Sequence, residues 1–124
     1  MASSPAYAKH PEHRVVLESK PGRVRALFAG ETIADSTRAH LVRESRHDPI
    51  VYFPREDVRM AALEKREETT FCPFKGTASY WTIRVGGREA ESAVWSYEDP
   101  YDEVAGLKDC MAFYLDRIDA LDDG

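Results

Sequence analysis

Ala78-Ser79-Tyr80-Trp81-Thr82-Ile83-Arg84-Val85-Gly86-Gly87-Arg88-Glu89-Ala90-Glu91 reads as two strands joined by a tight turn. In the first arm Trp81, Ile83 and Val85 share one face, and Tyr80, Thr82 and Arg84 share the other. This is the period of two of a strand with one face buried. Gly86-Gly87 supplies the positive φ that two-residue hairpin turns demand. Such a turn sets Arg84 opposite Glu89, a charge pair, and Ile83 opposite Ala90, an apolar pair; both support the register. The return strand runs from Arg88 to Tyr97.

The same punctuation recurs on either side. Val15-Val16-Leu17 runs to the turn signal Pro21-Gly22. Val24, Ala26 and Phe28 then alternate with polar or outward residues, and Gly30-Glu31 turns the chain into Thr32 to Ser36. These three segments predict a meander. Ala39 to Glu44 and Ile50 to Phe53 read as short strands separated by His47-Asp48-Pro49. Arg55 to Glu68 is rich in helix formers and is the one mid-chain helix expected. Tyr101 to Lys108 has room for about two helical turns. Cys110 to Tyr114 is a last strand, and Leu115 to Gly124 a short acidic tail. Residues 1–12, small, polar and proline-bearing, read as an N-terminal arm, and residues 13–124 as a single β-rich domain.

Length and composition fit this reading. The chain has 124 residues, 43% hydrophobic and 31% charged, which suits one globular domain. A chain of this size buries roughly two-thirds of its unfolded surface, enough for a core without staples. No apolar run approaches the roughly 18 residues of a membrane-spanning helix. The first ten residues lack the apolar stretch of a secretory signal, so the cytoplasm is the expected compartment and no membrane partner is expected. With two cysteines, Cys72 and Cys110, a structural disulfide is not expected there. No Cys-x-x-Cys or His-Glu-x-x-His spacing is present, so no metal site is predicted and no cofactor is assigned. Net charge is −5 but uneven: residues 1–86 carry 14 Lys/Arg against 11 Asp/Glu, and residues 87–124 carry 3 against 11. An acidic final third repels phosphates and argues against general nucleic-acid binding.

Three constellations carry possible chemistry. In Thr69-Thr70-Phe71-Cys72-Pro73-Phe74-Lys75-Gly76 a turn brings Cys72 and Lys75 together, and an ammonium beside a thiol favours the nucleophilic thiolate. Glu44, His47 and Tyr52 form a second group, in which a carboxylate and an imidazole suit acid–base work near neutral pH. The third is aromatic: Tyr80, Trp81, Trp95, Tyr97, Tyr101, Phe113 and Tyr114 either pack the core or line a site for a flat ligand. No glycine-rich phosphate loop is present.

Several of these residues occur in a familiar order: Gly30-Glu31-Thr32-Ile33-Ala34-Asp35-Ser36, Arg43-Glu44, Val51-Tyr52-Phe53-Pro54-Arg55, Cys72-Pro73-Phe74-Lys75-Gly76, Ser79-Tyr80-Trp81, and Val94-Trp95-Ser96-Tyr97. Phe113-Tyr114 with Asp116-Arg117 closes the set. Over roughly residues 13–120 the chain resembles the bacterial family called Domain of Unknown Function 427. The resemblance implies a compact, mostly β, tent-like fold in which two antiparallel sheets meet at an angle. The family's recurring residues fall on Glu44, Tyr52, Pro54, Cys72, Lys75, Gly76 and Tyr80. Some tent-fold relatives bind zinc through paired Cys-x-x-Cys motifs; this chain lacks them, and zinc is not carried over. Pro54 and Gly76 have backbone explanations, whereas Glu44, Cys72 and Lys75 do not.

The fold expected is therefore a mostly β, antiparallel two-sheet domain with one or two short helices. The leading functional reading is a small-ligand-binding domain. Its pocket is lined by Tyr52, Tyr80 and Trp81, with Glu44, Arg55 and Lys75 as polar anchors, and the basic pair favours an anionic ligand. A second reading is a cysteine-dependent enzyme or redox protein using Cys72, with Lys75 and either Glu44 or His47. A third is a structural module that forms a homodimer through a free sheet edge.

Overall fold

The computed structural model describes residues 2–123; Met1 and Gly124, the outer limits of the predicted arm and tail, lie outside the described residues. Ten strands follow one another: β1 (Val15–Ser19), β2 (Val24–Phe28), β3 (Glu31–Ser36), β4 (His40–Glu44), β5 (Ile50–Tyr52), β6 (Leu63–Cys72), β7 (Gly76–Val85), β8 (Arg88–Ser96), β9 (Met111–Phe113) and β10 (Ala120–Asp122). They form three antiparallel sheets, ordered β1-β4-β5, β10-β2-β3 and β6-β7-β8-β9. The fold is mostly β and antiparallel as expected, with three sheets where two were anticipated. Among the described residues helix is confined to α1 (Ala6–Lys9) and short 3-10 turns.

The β7–β8 hairpin has the register read from sequence, with Arg84 opposite Glu89 and Ile83 opposite Ala90. Gly86 takes φ 61° at its turn, a conformation that costs glycine nothing. Farther along, the pairing shifts between Trp81 and Ile83, where the Ser92 amide bonds the Thr82 hydroxyl at 3.1 Å.

Three segments differ from expectation. The first three strands are not a meander: β2 and β3 pair, but β1 crosses to β4 in another sheet. The reason is that Val15 and Leu17 pack with one apolar cluster while Val24, Ala26 and Phe28 belong to another. Arg55 to Glu68 is not a helix. It makes 3-10 turns at Arg55–Asp57 and Met60–Ala62 and then enters β6, because pairing along β7 outweighs weak helix propensity in a segment with no continuous apolar stripe. Residues 115–124 are not merely a tail, since β10 pairs with β2. In Asp102–Leu107 the helical turns are of the 3-10 kind, broken at Val104.

The four-stranded sheet separates two cores. Trp81, Ile83, Val94, Met111 and Phe113 face β2 and β3 in the larger. Ala78, Tyr97 and Ala112 join Val42 and Tyr52 of the β1-β4-β5 sheet in the smaller. Successive residues of β9, Met111, Ala112 and Phe113, go to alternate cores, as strand geometry requires. The arm is docked. Ala6 is buried, Tyr7 donates from its hydroxyl to the Phe74 carbonyl at 3.1 Å, and the Ser4 amide bonds Glu103 at 3.0 Å. Among the described residues no helix is long and apolar enough to cross a membrane.

Candidate functional site

Cys72 closes β6 and Gly76 opens β7, facing each other across a three-residue turn. The Lys75 amide donates to the Cys72 carbonyl at 3.2 Å, and the Tyr101 amide donates to the Lys75 carbonyl at 3.0 Å, so the turn is pinned from both sides. Gly76 has φ +116°, and a Cβ there would lie 3.4 Å from the Asp99 carbonyl oxygen, which reserves the position for glycine. This backbone course folds the Lys75 side chain inward, leaving the residue 7% exposed.

Buried ammonium groups need a partner, and Lys75 finds one in Glu44 at the end of β4. Its Nζ donates to Oε1. The other oxygen, Oε2, meets His13 Nε2 at 2.8 Å. The His13 ring stacks on Phe74 at 3.8 Å, so a residue of the turn also positions the second partner of Glu44. Burial alone would raise the Glu44 pKa. The hydrogen bond and charge of Lys75, helped by the His13 hydrogen bond, outweigh it and hold the carboxyl below its ordinary 4.5. The pair is therefore a fixed carboxylate–ammonium dipole. Lys75 Nζ lies 3.8 Å from Cys72 Sγ and 6.0 Å from the centre of the Tyr97 ring.

These groups edge a cleft of about 250 Å³ whose walls are Tyr52, Tyr80, Trp95, Tyr97 and Tyr114, with Ile50 and His47 completing it. Trp95 Nε1 donates to the Tyr52 hydroxyl at 3.1 Å, and the Tyr80 hydroxyl pairs with Thr70 Oγ1 at 2.7 Å. The Trp95 and Tyr114 rings lie 4.6 Å apart. Burial raises the Tyr52 and Tyr97 phenols above their ordinary 10.0, and burial with the neighbouring Tyr80 hydroxyl raises Tyr114. The cleft thus offers neutral hydroxyls, a partly exposed thiol and a paired charge. Among the described residues no three His, Cys, Asp or Glu side chains group as metal ligands.

Of the residues singled out in the sequence, Glu44, Cys72, Lys75, Tyr52, Tyr80 and His47 share this cleft. Arg55 and Trp81 do not. Trp81 follows Tyr80 on β7, so it points to the opposite face, where it is 4% exposed in the larger core. Arg55 lies over its ring at 5.1 Å and spends its donors on the Asp109 carbonyl, Glu98 and Ser96 Oγ at 3.1, 3.0 and 3.2 Å. The basic pair behind the anionic-ligand expectation is therefore not assembled, and Lys75 is already neutralised by Glu44. Trp95, Tyr97 and Tyr114, which the sequence offered only within the aromatic constellation and outside the predicted pocket lining, are walls of the cleft, and His13 was not singled out at all. Trp95 stands opposite Tyr80 in the hairpin register, a signal that would have found it, and Tyr97 lies two residues on. Nothing local points to His13.

Fold and site together define a mostly β, three-sheet domain with a polar-aromatic cleft built round a buried carboxylate–ammonium pair. The chain belongs to the family described as Domain of unknown function (DUF427), whose model matches residues 16–124. That span holds every cleft residue named above, while His13 precedes it. No curated protein matches the chain.

Proposed function

We propose that the cleft binds a small organic molecule through an uncharged hydrogen-bonding group, such as an amide, carbonyl or hydroxyl. The observation that carries this reading is the convergence of Glu44, from the end of β4, with Cys72 and Lys75, from the turn between β6 and β7, on one aromatic-walled cleft. A few placed polar groups among aromatic walls are the usual form of a small-molecule site. An ionic ligand would desolvate its charge against a site whose own charges are paired, so a neutral head group suits the pair better. The test follows iodoacetamide alkylation of Cys72 in the presence of benzamide or benzoate. Saturable protection of Cys72 by benzamide, with Cys110 unaffected, is expected. Protection by benzoate alone restores the anionic ligand, and protection by neither contradicts the reading.

A second reading has its own observation. The 3.8 Å approach of Lys75 Nζ to the Cys72 thiol supports thiol chemistry, with Cys72 attacking an electrophilic substrate. Rapid alkylation of Cys72 that slows in Lys75→Met is its expected signature. Self-association has less support. β6, the long edge strand of its sheet, carries Glu64, Lys65, Arg66, Glu67 and Glu68 in succession, and charged edges discourage pairing.

A further inference from the structure

A second cavity of about 300 Å³ adjoins the cleft and shares Ile50, Trp95 and Tyr114 with it. Its origin lies in the strand arrangement. β5 and β9 are edge strands of different sheets, and among the described residues they are bridged only at Phe53 and Met111, by two backbone bonds of 2.8 Å. Beyond that bridge no ladder joins the two strands, and a notch opens between them. Phe53 and Phe113, both buried, lie at its base. Val51 and Leu121 line it, and Leu115, 60% exposed, stands at its rim. Among the described residues Asp48 is the one charged residue of a lining that is otherwise mainly apolar, in contrast to the hydroxyls, thiol and paired charges of the cleft.

We infer that cleft and notch are two ends of one site, and that its ligand is a neutral amphiphile. A polar head lies at Glu44–Lys75, and an apolar chain passes along Ile50, Trp95 and Tyr114 into the notch. This rests on the function proposed above and adds the class of molecule. Each cavity alone is at or below the small end of the range for ligand pockets, whereas the two joined fall within it. An exposed leucine at the rim of an apolar notch also gains from being covered by a chain, since apolar area leaves water.

The experiment titrates the protein with the n-alkanamides from butanamide to octanamide, beside benzamide as a head-group control, by calorimetry. The dissociation constant is expected to fall about fourfold per added methylene until the notch is filled. In the double variant Leu115→Asp with Leu121→Asp, that dependence is expected to vanish while benzamide binding stays unchanged. Leu115→Asp alone, at an exposed side chain, gives the same test should the double variant not fold. A series that stays flat while benzamide binds overturns the amphiphile but leaves the cleft's function standing. A chain-length dependence that survives the rim substitutions places the chain elsewhere and also overturns it. Failure of benzamide and every alkanamide to bind removes both.

Discussion

Two carboxylates in this molecule each hold two basic side chains drawn from distant parts of the chain, beside an aromatic ring. Glu44 holds Lys75 and His13 near Tyr97; Glu98 holds Arg55 and Lys65, both over Trp81 at 5.1 and 5.5 Å. The residue types match, but the surroundings do not. Side chains of the first group are 8–17% exposed, and those of the second 27–53%. The first borders a cleft of hydroxyls and a thiol. In the second, Arg55 ties a 3-10 turn to β8 and the Asp109 loop, and the side chains cover a buried indole. Charge clusters alone therefore do not mark a site; depth and what the cluster faces decide whether it clips the fold or meets a ligand.

The largest expected effect separates the two clusters by stability. Lys75→Met removes one partner of a buried pair and is expected to cost about 3 kcal/mol, leaving Glu44 with His13 alone. Lys65→Met, in the exposed cluster, is expected to cost about 0.5 kcal/mol. Urea denaturation of both variants measures the difference, and equal losses would break the comparison.

Acid sharpens it further. Burial opposes ionisation of Glu44, but the hydrogen bond and charge of Lys75, with the hydrogen bond to His13, prevail, so its folded pKa lies below 4.5. Its contribution to stability is then complete above that value and is lost as pH falls through the folded pKa. Glu44→Gln is expected to flatten the acid limb of the stability–pH curve more than Glu98→Gln, although the Glu98 carboxyl is also held low against burial by Lys65 and Arg55. An equal flattening would deny the role given to depth.

Reactivity gives the next contrast. Cys72 is partly exposed in the cleft, while Cys110 is buried and burial pushes its thiol up to about 11. Iodoacetamide at pH 8 is expected to label Cys72 at least about tenfold faster, read by peptide mass spectrometry. Labelling of Cys110 at a comparable rate would mean the smaller core opens readily.

How much of this could be read from the sequence follows from which interactions are local. The β7–β8 hairpin was legible because its turn, alternation and cross-strand pairs lie within a few residues of one another. The same alternation separates Tyr80 from Trp81, and applying it strictly would have kept Trp81 out of the predicted pocket. Cys72 and Lys75 were legible as a pair because one turn holds both. The Glu44–Lys75 contact spans 31 residues and depends on how two sheets meet, which no local pattern encodes. β6 was misread because its helix-forming residues gain more by pairing with β7 than by coiling. His13 reaches Glu44 through Phe74, a contact with no signature near either residue.

The two regions also differ in a way that one spectrum can follow. The chain has two tryptophans: Trp95 lines the cleft, and Trp81 lies beneath Arg55 and Lys65. Each contributes one indole N–H resonance. On titration with hexanamide the Trp95 signal is expected to move and saturate while the Trp81 signal stays in place. Two stationary signals, or a saturable shift of Trp81 alone, would contradict the assignment of the Glu44–Lys75 cleft as the binding site.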